Sequence, residues 1–362
     1  MKTIETVTIQ TITFEAIALL KKLIETSSFS GEEDMTAVLI ENWFKQNNIP
    51  FKRENNNVWA YNQHFNILKP TLLLNSHHDT VKPNQGYTLD PFTAIEEDGK
   101  LFGLGSNDAG GCLVSLLAAF TYLYQKERLS HNIVIVASAE EESSGENGLN
   151  SVLKHLPKLD CAIVGEPTEM QLAIAEKGLL VLDVIVQGTA SHAAHHNENN
   201  AIYNTIEVIE WFKNYSFKKV SEILGPVKMT VTQIDAGKQH NVVPSECHLV
   251  VDIRVNDKYS NKEIMELVIE NVNATVKPRS MHLNASSIDK NHPLVQAGIE
   301  LGRTTYGSPT LSDQAVLNCQ SLKLGPGSSP RSHTANEFIH THEIEEGIEL
   351  YIKILSDFLK QH

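Results

Sequence analysis

The sequence predicts an α/β protein: a mostly parallel sheet covered by helices, interrupted by an inserted ferredoxin-like α+β segment. Three observations carry this. Near-continuous apolar runs at 71–76 (TLLLNS), 132–138 (NIVIVAS) and 161–165 (CAIVG) read as strands buried on both faces, as parallel strands are. Segments with helical spacing alternate with them, the pattern of a helix-covered sheet. From about 177 to 285 the order changes to strand-helix-strand-strand-helix-strand. At 362 residues the chain exceeds the size at which one core stops growing, so two domains are expected. The first is discontinuous, 1–176 and 286–362, and the second is 177–285.

In chain order, 12–26 and 33–47 have helical spacing, and 51–61 reads as a strand ahead of the buried run at 71–76. Gly110-Gly111 opens a helix through about Tyr124. Within the insert, strands are expected at 179–186, 228–234, 247–255 and about 280–284, with helices at 200–213 and 261–272. Residues 293–306 have helical spacing and return to the first domain, and a helix from Ile344 ends the chain.

A composition of 41% hydrophobic and 20% charged residues is that of an ordinary soluble globular protein. The net charge of −14 argues against nucleic acid or an anionic membrane as partner. Cys112, Cys161, Cys247 and Cys319 are scattered without a C-x-x-C pair. That fits a reducing compartment and argues against a zinc cluster built on cysteines. The N-terminus is acidic where a signal peptide would be basic, and the longest apolar stretch, 112–124, is too short to cross a bilayer. A cytoplasmic protein is expected.

Each of the three strand-like runs ends on metal-type ligands: His77-His78-Asp79, Glu140-Glu141-Glu142 and Glu166-Pro167. In open α/β sheets, ligands gather outside the carboxyl ends of strands, so these groups can meet. His and carboxylates together suit a divalent ion of borderline softness. Along an extended chain His77 and Asp79 share a face and His78 points away. Asp79 could then orient a ligating His77. Asp108, within Gly105-Ser106-Asn107-Asp108-Ala109-Gly110-Gly111, reads by itself first as a helix N-cap, although a carboxylate bridging two ions would also suit the place. Neighbouring Glu141 and Glu142 point opposite ways, so one can bind metal while the other acts as base, whereas Glu140 reads as a solvated loop residue. His333 follows a Gly/Pro loop and means little alone. There is no G-x-S-x-G, G-x-x-x-x-G-K-[ST] or H-E-x-x-H, which removes support for serine hydrolase and NTPase chemistry.

Assembled in order, SHHDTV, GLGSNDAGG, SAEEESSGENG, VGEPT, the insert and GPGSSPRSHTANE resemble the M20 family of metallopeptidases and amidohydrolases along essentially the whole chain. The resemblance implies two divalent ions, zinc with cobalt or manganese as substitutes. It implies that His77 and Glu166 bind one, Glu142 and His333 the other, and that Asp108 bridges them. Glu141 would be the general base and Asp79 the partner of His77. The insert would be a lid and dimerisation domain, making the protein a homodimer. In it, His192 would stabilise the tetrahedral intermediate, and Asn241 and Arg254 would anchor a substrate carboxylate. Two positions depart from the family pattern: Glu140 stands where Asp is common, and His195-His196-Asn197-Glu198-Asn199 replaces a Pro-containing stretch. The implied activity is hydrolysis of the N-acyl amide of an amino acid. N-acetylornithine in arginine biosynthesis comes first, with succinylornithine and acetylcitrulline as relatives. A dipeptidase or carboxypeptidase is the alternative, and a silent binding protein on the same scaffold is a weaker one.

Overall fold

The computed structural model describes residues 8–360. Part of the acidic N-terminal stretch lies outside these residues. The chain divides into two compact units: residues up to Ile174, Ile288–Tyr306 and those from Ser312 form one, and Ala175–Ser287 with Gly307–Leu311 the other.

The sheet of the first unit has a parallel centre. Its strands run in the order Asn132–Ser138, Thr71–His77, Cys161–Val164 and Gln320–Lys323. The first two are buried at every position, as their unbroken apolar composition requires. The flanks are antiparallel, so the sheet is mixed. The run at 51–61 is not one strand but a hairpin, Phe51–Glu54 and Asn57–Tyr61, turned at Asn55-Asn56. Asn55 has φ of +51°, a conformation asparagine tolerates and β-branched residues do not.

Helices Ile9–Ile24, Asp34–Gln46, Gly111–Leu123 and Thr341–Phe358 cover one face, around Leu20, Phe44, Phe120 and Tyr351. The other face packs Trp59, Leu73 and Val134 against Leu149 and Val152 of the short helix Leu149–Leu153. The helical spacing at 293–306 yields only Pro293–Glu300, because Gly302 at φ +80° ends it and Thr305–Ser308 extends as a strand. A small sheet that sequence spacing did not reveal joins Ile95–Glu97, Lys100–Phe102 and Phe338–His340.

The second unit is an antiparallel sheet in the order Lys228–Ala236, Glu246–Val255, Gly178–Gln187, Thr275–Pro278. Strict alternation of burial along Gly178–Gln187 and Glu246–Val255 shows one covered face. Val208 and Phe212 of helix Ala201–Asn214 and Ile264 and Val268 of helix Asn261–Asn271 pack there. The last strand lies at 275–278 rather than 280–284. The β-branched Thr275 and Val276 pair with Ile185 and Val184, and an edge strand tolerates Pro278. No helix among the described residues is long and apolar enough to cross a membrane.

Candidate metal centre

Parallel strands end at one edge, and the residues that follow them in the first unit meet there. His77 is the last residue of Thr71–His77 and is 1% exposed. Its Nε2 lies 3.3 Å from Asp108 Oδ1, 3.7 Å from Glu166 Oε1 and 3.9 Å from Glu141 Oε2. His333 Nε2 lies 3.0 Å from both oxygens of Glu142 and 3.5 Å from Asp108 Oδ2. Asp108 therefore offers one carboxylate oxygen to each imidazole. Two groups of metal-type ligand atoms result, His77–Asp108–Glu142 and His77–Glu141–Glu166, each with its atoms within 4.8 Å of one another.

Asp108 caps no helix. It sits inside the wide turn Ser106–Gly110, ahead of Gly111–Leu123, and its backbone is non-helical. A Cβ on Gly110 would come 2.5 Å from the Gly105 carbonyl oxygen, so the turn closes only with glycine there. Glu337 holds this turn: its carboxylate accepts the backbone N–H groups of Gly105, Asn107 and Asp108 at 3.2, 2.8 and 2.9 Å. Pairing of Phe338–His340 with Lys100–Phe102 brings Glu337 to that place. Sequence reasoning gave Glu337 no role, and its only signal was its position four residues after His333.

His77 Nδ1 is 3.0 Å from the carbonyl oxygen of Asp79 and 3.4 Å from Asp79 Oδ1. The Asp79 carboxylate also accepts the backbone N–H of Glu141 at 3.0 Å and of Glu142 at 3.1 Å, and the hydroxyl of Ser30 at 2.7 Å. One side chain thus registers the end of Thr71–His77 with the glutamate loop. His78 does point away: Nδ1 lies 2.9 Å from the Thr36 hydroxyl and Nε2 2.9 Å from the Asn56 carbonyl, and burial pulls its pKa down to about 4. Glu140 is not a loose loop residue, since its carboxylate accepts the backbone and side-chain N–H groups of Asn147, both at 3.1 Å. A second buried carboxylate lies beneath the site: Asp313 accepts from Asn75 at 2.7 Å and from Ser138 at 2.6 Å, tying the two central strands two residues before His77 and three before Glu141.

The electrostatics are those of a cation site. The side chains of Asp108, Glu141, Glu142 and Glu166 are 10–13% exposed. Burial, and then the charge of Asp108, pushes the Glu166 carboxyl up to about 8 against the pull of His77. Burial also holds Glu141 well above its usual range. The hydrogen bond to Glu142 raises His333 to about 9. Burial works against a charged His77, but Glu141, Asp108 and Asp79 outweigh it and hold the ring well above its usual value. His77 Nε2, fully buried, has no hydrogen-bond partner among the described residues. An orphaned imidazole nitrogen facing crowded carboxylates fits one or more divalent ions, which would satisfy both.

His192, Asn241 and Arg254 belong to the second unit. His192 lies on the two-residue strand Ser191–His192, paired with Val242–Val243, and Ala193 N–H donates to the Asn241 carbonyl at 2.9 Å, so these two residues are neighbours. Arg254, on Glu246–Val255, already binds Asp252 through Nε at 2.9 Å and Nη2 at 3.0 Å. Lys228 is its register partner. Burial, then the charges of Lys228 and Arg254, lowers the pKa of nearby Lys177.

The sequence matches the model of Peptidase family M20/M25/M40 over residues 73–357. It is 27% identical to an acetylornithine deacetylase of Shigella sonnei over 94% of this chain and 97% of the relative. Its fold is similar to that of an M20 family metallo-carboxypeptidase from Sulfolobus solfataricus (TM-score 0.75, 17% identity, 95% and 99% of the two chains covered). It is also similar to that of a dinuclear metal-binding M20 peptidase of Bacillus subtilis (TM-score 0.72, 14% identity, 96% and 98% covered).

Proposed function

Because the chain belongs to peptidase family M20/M25/M40 and is a metal-dependent hydrolase, we propose that it removes the acyl group from an N-acylated amino acid, N-acetylornithine first, as a step of arginine biosynthesis. The likeness to acetylornithine deacetylase along nearly the whole of both chains carries the substrate reading. We assign zinc as the metal, with His77 and Glu166 on one ion, Glu142 and His333 on the other, and Asp108 between them. Supporting the pairing, the two oxygens of Asp108 face different imidazoles. Held by these residues, divalent ions would supply a water of lowered pKa and a polarised scissile carbonyl.

The chain's own residues do the rest. Glu141, at 3.9 Å the farthest from His77 Nε2 of Asp108, Glu166 and Glu141, takes the proton of the attacking water and returns it to the leaving amine. Asp79 holds the backbone of Glu141 and Glu142 in register with His77. His192 donates to the oxygen that gains charge as the carbonyl becomes tetrahedral. Arg254 and Asn241 anchor the α-carboxylate, with Arg254 shared between substrate and Asp252. Of the two cations that would favour a succinyl group, Arg331 is already bound by Glu343 at 2.9 and 2.6 Å. Lys177, beside Lys228 and Arg254, is the better candidate, and it favours succinylornithine as the second substrate.

Comparing kcat/KM for acetylornithine, succinylornithine, acetylcitrulline and a dipeptide, with zinc or cobalt added, tests this. The acetylornithine value is expected to be highest. A dipeptide ahead by more than about tenfold, about 1.4 kcal/mol in transition-state binding, would replace the deacylase with a peptidase.

We further propose that residues 177–285 are a lid through which the protein dimerises in the reducing cytoplasm. Ile202, Tyr203 and Ile206 on helix Ala201–Asn214 support this, being 41%, 68% and 53% exposed on neighbouring turns. Sedimentation at micromolar concentration is expected to give a dimer, and a monomer there would refute this part alone.

A further inference from the structure

The central strands have a second end, and a different set of ligand-type groups gathers there. Asp160 and Cys161 open the strand Cys161–Val164, His131 immediately precedes Asn132–Ser138, and His292 is the N-cap of helix Pro293–Glu300. Ligand atoms of Asp160, Cys161 and His292 all lie within 4.8 Å of one another. His131 Nε2 is 3.5 Å from Asp160 Oδ2, while His131 Nδ1 is 2.9 Å from the Ser130 hydroxyl. Cys161 is fully buried and the Asp160 side chain is 50% exposed, so the group has a sealed floor and an open mouth.

From this the geometry points to a second, separate metal site, in which Asp160, Cys161 and His292 bind one borderline divalent ion such as Zn²⁺ and His131 orients the Asp160 carboxylate. The donor set is a carboxylate, a thiolate and a neutral imidazole. Their charges sum to −2 and balance one divalent ion, and a mix of N, S and O donors suits zinc or cobalt rather than magnesium or calcium. Ligating carboxylates are themselves held by polar neighbours, and His131 stands 3.5 Å from Asp160 to do so. Burial lowers the pKa of both rings, the direction that favours the neutral form a ligating His292 must have. Two proton and bond changes accompany binding. The Cys161 thiol, held above its usual range by burial, gives up its proton to solvent. His292 Nδ1 now accepts the N–H of Leu294 at 3.2 Å. A neutral ring has one free lone pair, so ligation through either nitrogen exchanges this cap bond for the ion. Spacing along the sequence argued against a zinc cluster built on cysteines. This site uses one thiol, and its imidazole comes from a segment more than a hundred residues away in sequence.

The ion would tie the start of the strand Cys161–Val164 directly, and that of Asn132–Ser138 through His131, to the helix that follows the insert, which makes its role structural. Sulfur makes the test selective, because the ligand set proposed for the catalytic pair contains none. Full-length protein titrated with Co²⁺ is expected to develop a thiolate-to-cobalt charge-transfer absorption that Zn²⁺ bleaches. Cys161→Ser is expected to lose that band and one bound ion while retaining hydrolysis, and Cys112→Ser is expected to keep the band. Absence of the band at saturating Co²⁺, or its survival in Cys161→Ser, overturns the site. If Cys161→Ser does not fold, Asp160→Asn on the exposed rim decides. A fall of at least about tenfold in affinity for the band-forming Co²⁺ supports the site, and an unchanged affinity refutes it.

Discussion

Glu141→Gln is expected to leave the fold and the metal content intact and to reduce kcat by about two to four orders of magnitude, the usual contribution of a general base. Glutamine keeps the shape and the hydrogen-bonding reach but cannot take a proton from water. The backbone N–H of Glu141 stays bound to Asp79, so the loop keeps its place. Metal content is the informative second measurement, because Glu141 also lies in a ligand-like group with His77 and Glu166. If the variant loses an ion along with its activity, Glu141 is a ligand and the base lies elsewhere. If it folds, keeps both ions and turns over at a near-normal rate, the base assignment fails outright. The substitution also has a pH signature in the metal-free protein. Burial raises the folded-state pKa of Glu141, so ionising it costs stability at pH values above its unfolded pKa. The neutral amide escapes that cost. Metal-free Glu141→Gln is therefore expected to unfold at the same or a higher temperature than metal-free wild type at neutral pH.

Asp108→Ala is expected to lose affinity at both ion positions and to abolish measurable turnover, whereas His333→Ala or Glu142→Ala should weaken one position selectively. The contrast rests on one distance pair: Asp108 Oδ1 faces His77 at 3.3 Å and Oδ2 faces His333 at 3.5 Å. Removing a group that merely supports a ligand costs about 10- to 100-fold in affinity, so loss of a shared ligand should exceed that at each position. Calorimetric titration with zinc after chelation, followed by elemental analysis, separates the cases. Wild-type protein that holds no more than one ion at the catalytic residues, even after zinc saturation, would remove the dinuclear reading. An Asp108→Ala protein that retains both would remove the bridge.

Most of the ligand-type residues were legible because their signal is local. His77, Glu141, Glu142 and Glu166 end or follow apolar runs of four to seven residues, and parallel strands of one sheet end at one edge, whereas Asp108, in a Gly-rich turn, and His333, after a Gly/Pro loop, stood out only through the resemblance to the M20 family. The pieces that hold them were not. Glu337 looked like the tail of a histidine motif, and only the pairing of Phe338–His340 with Lys100–Phe102 turns it onto the Asp108 turn. Nothing in the stretch Leu311-Ser312-Asp313-Gln314 singles out Asp313, whose hydrogen bonds go to residues 238 and 175 positions away. Asp79 was legible as a partner for His77, but its grip on the backbone of Glu141 and Glu142 depends on two strands being adjacent.

By itself, then, the sequence determined the alternation of strands and helices, the order of the insert's elements and the groups that follow the three apolar runs, His77, Asp79, Glu141, Glu142 and Glu166. All of these follow from periodicity and from side-chain chemistry within a few residues. Only the tertiary structure decided where the hairpin at Phe51–Tyr61 folds back, that the helix after His292 stops at Glu300, and which carboxylate oxygen meets which imidazole. It also decided that Arg254 is already bound by Asp252 and that Cys161, Asp160 and His292 share a corner. These outcomes depend on contacts between segments, whose geometry is set when apolar faces pack and buried polar groups find partners, and no pattern along one segment encodes it.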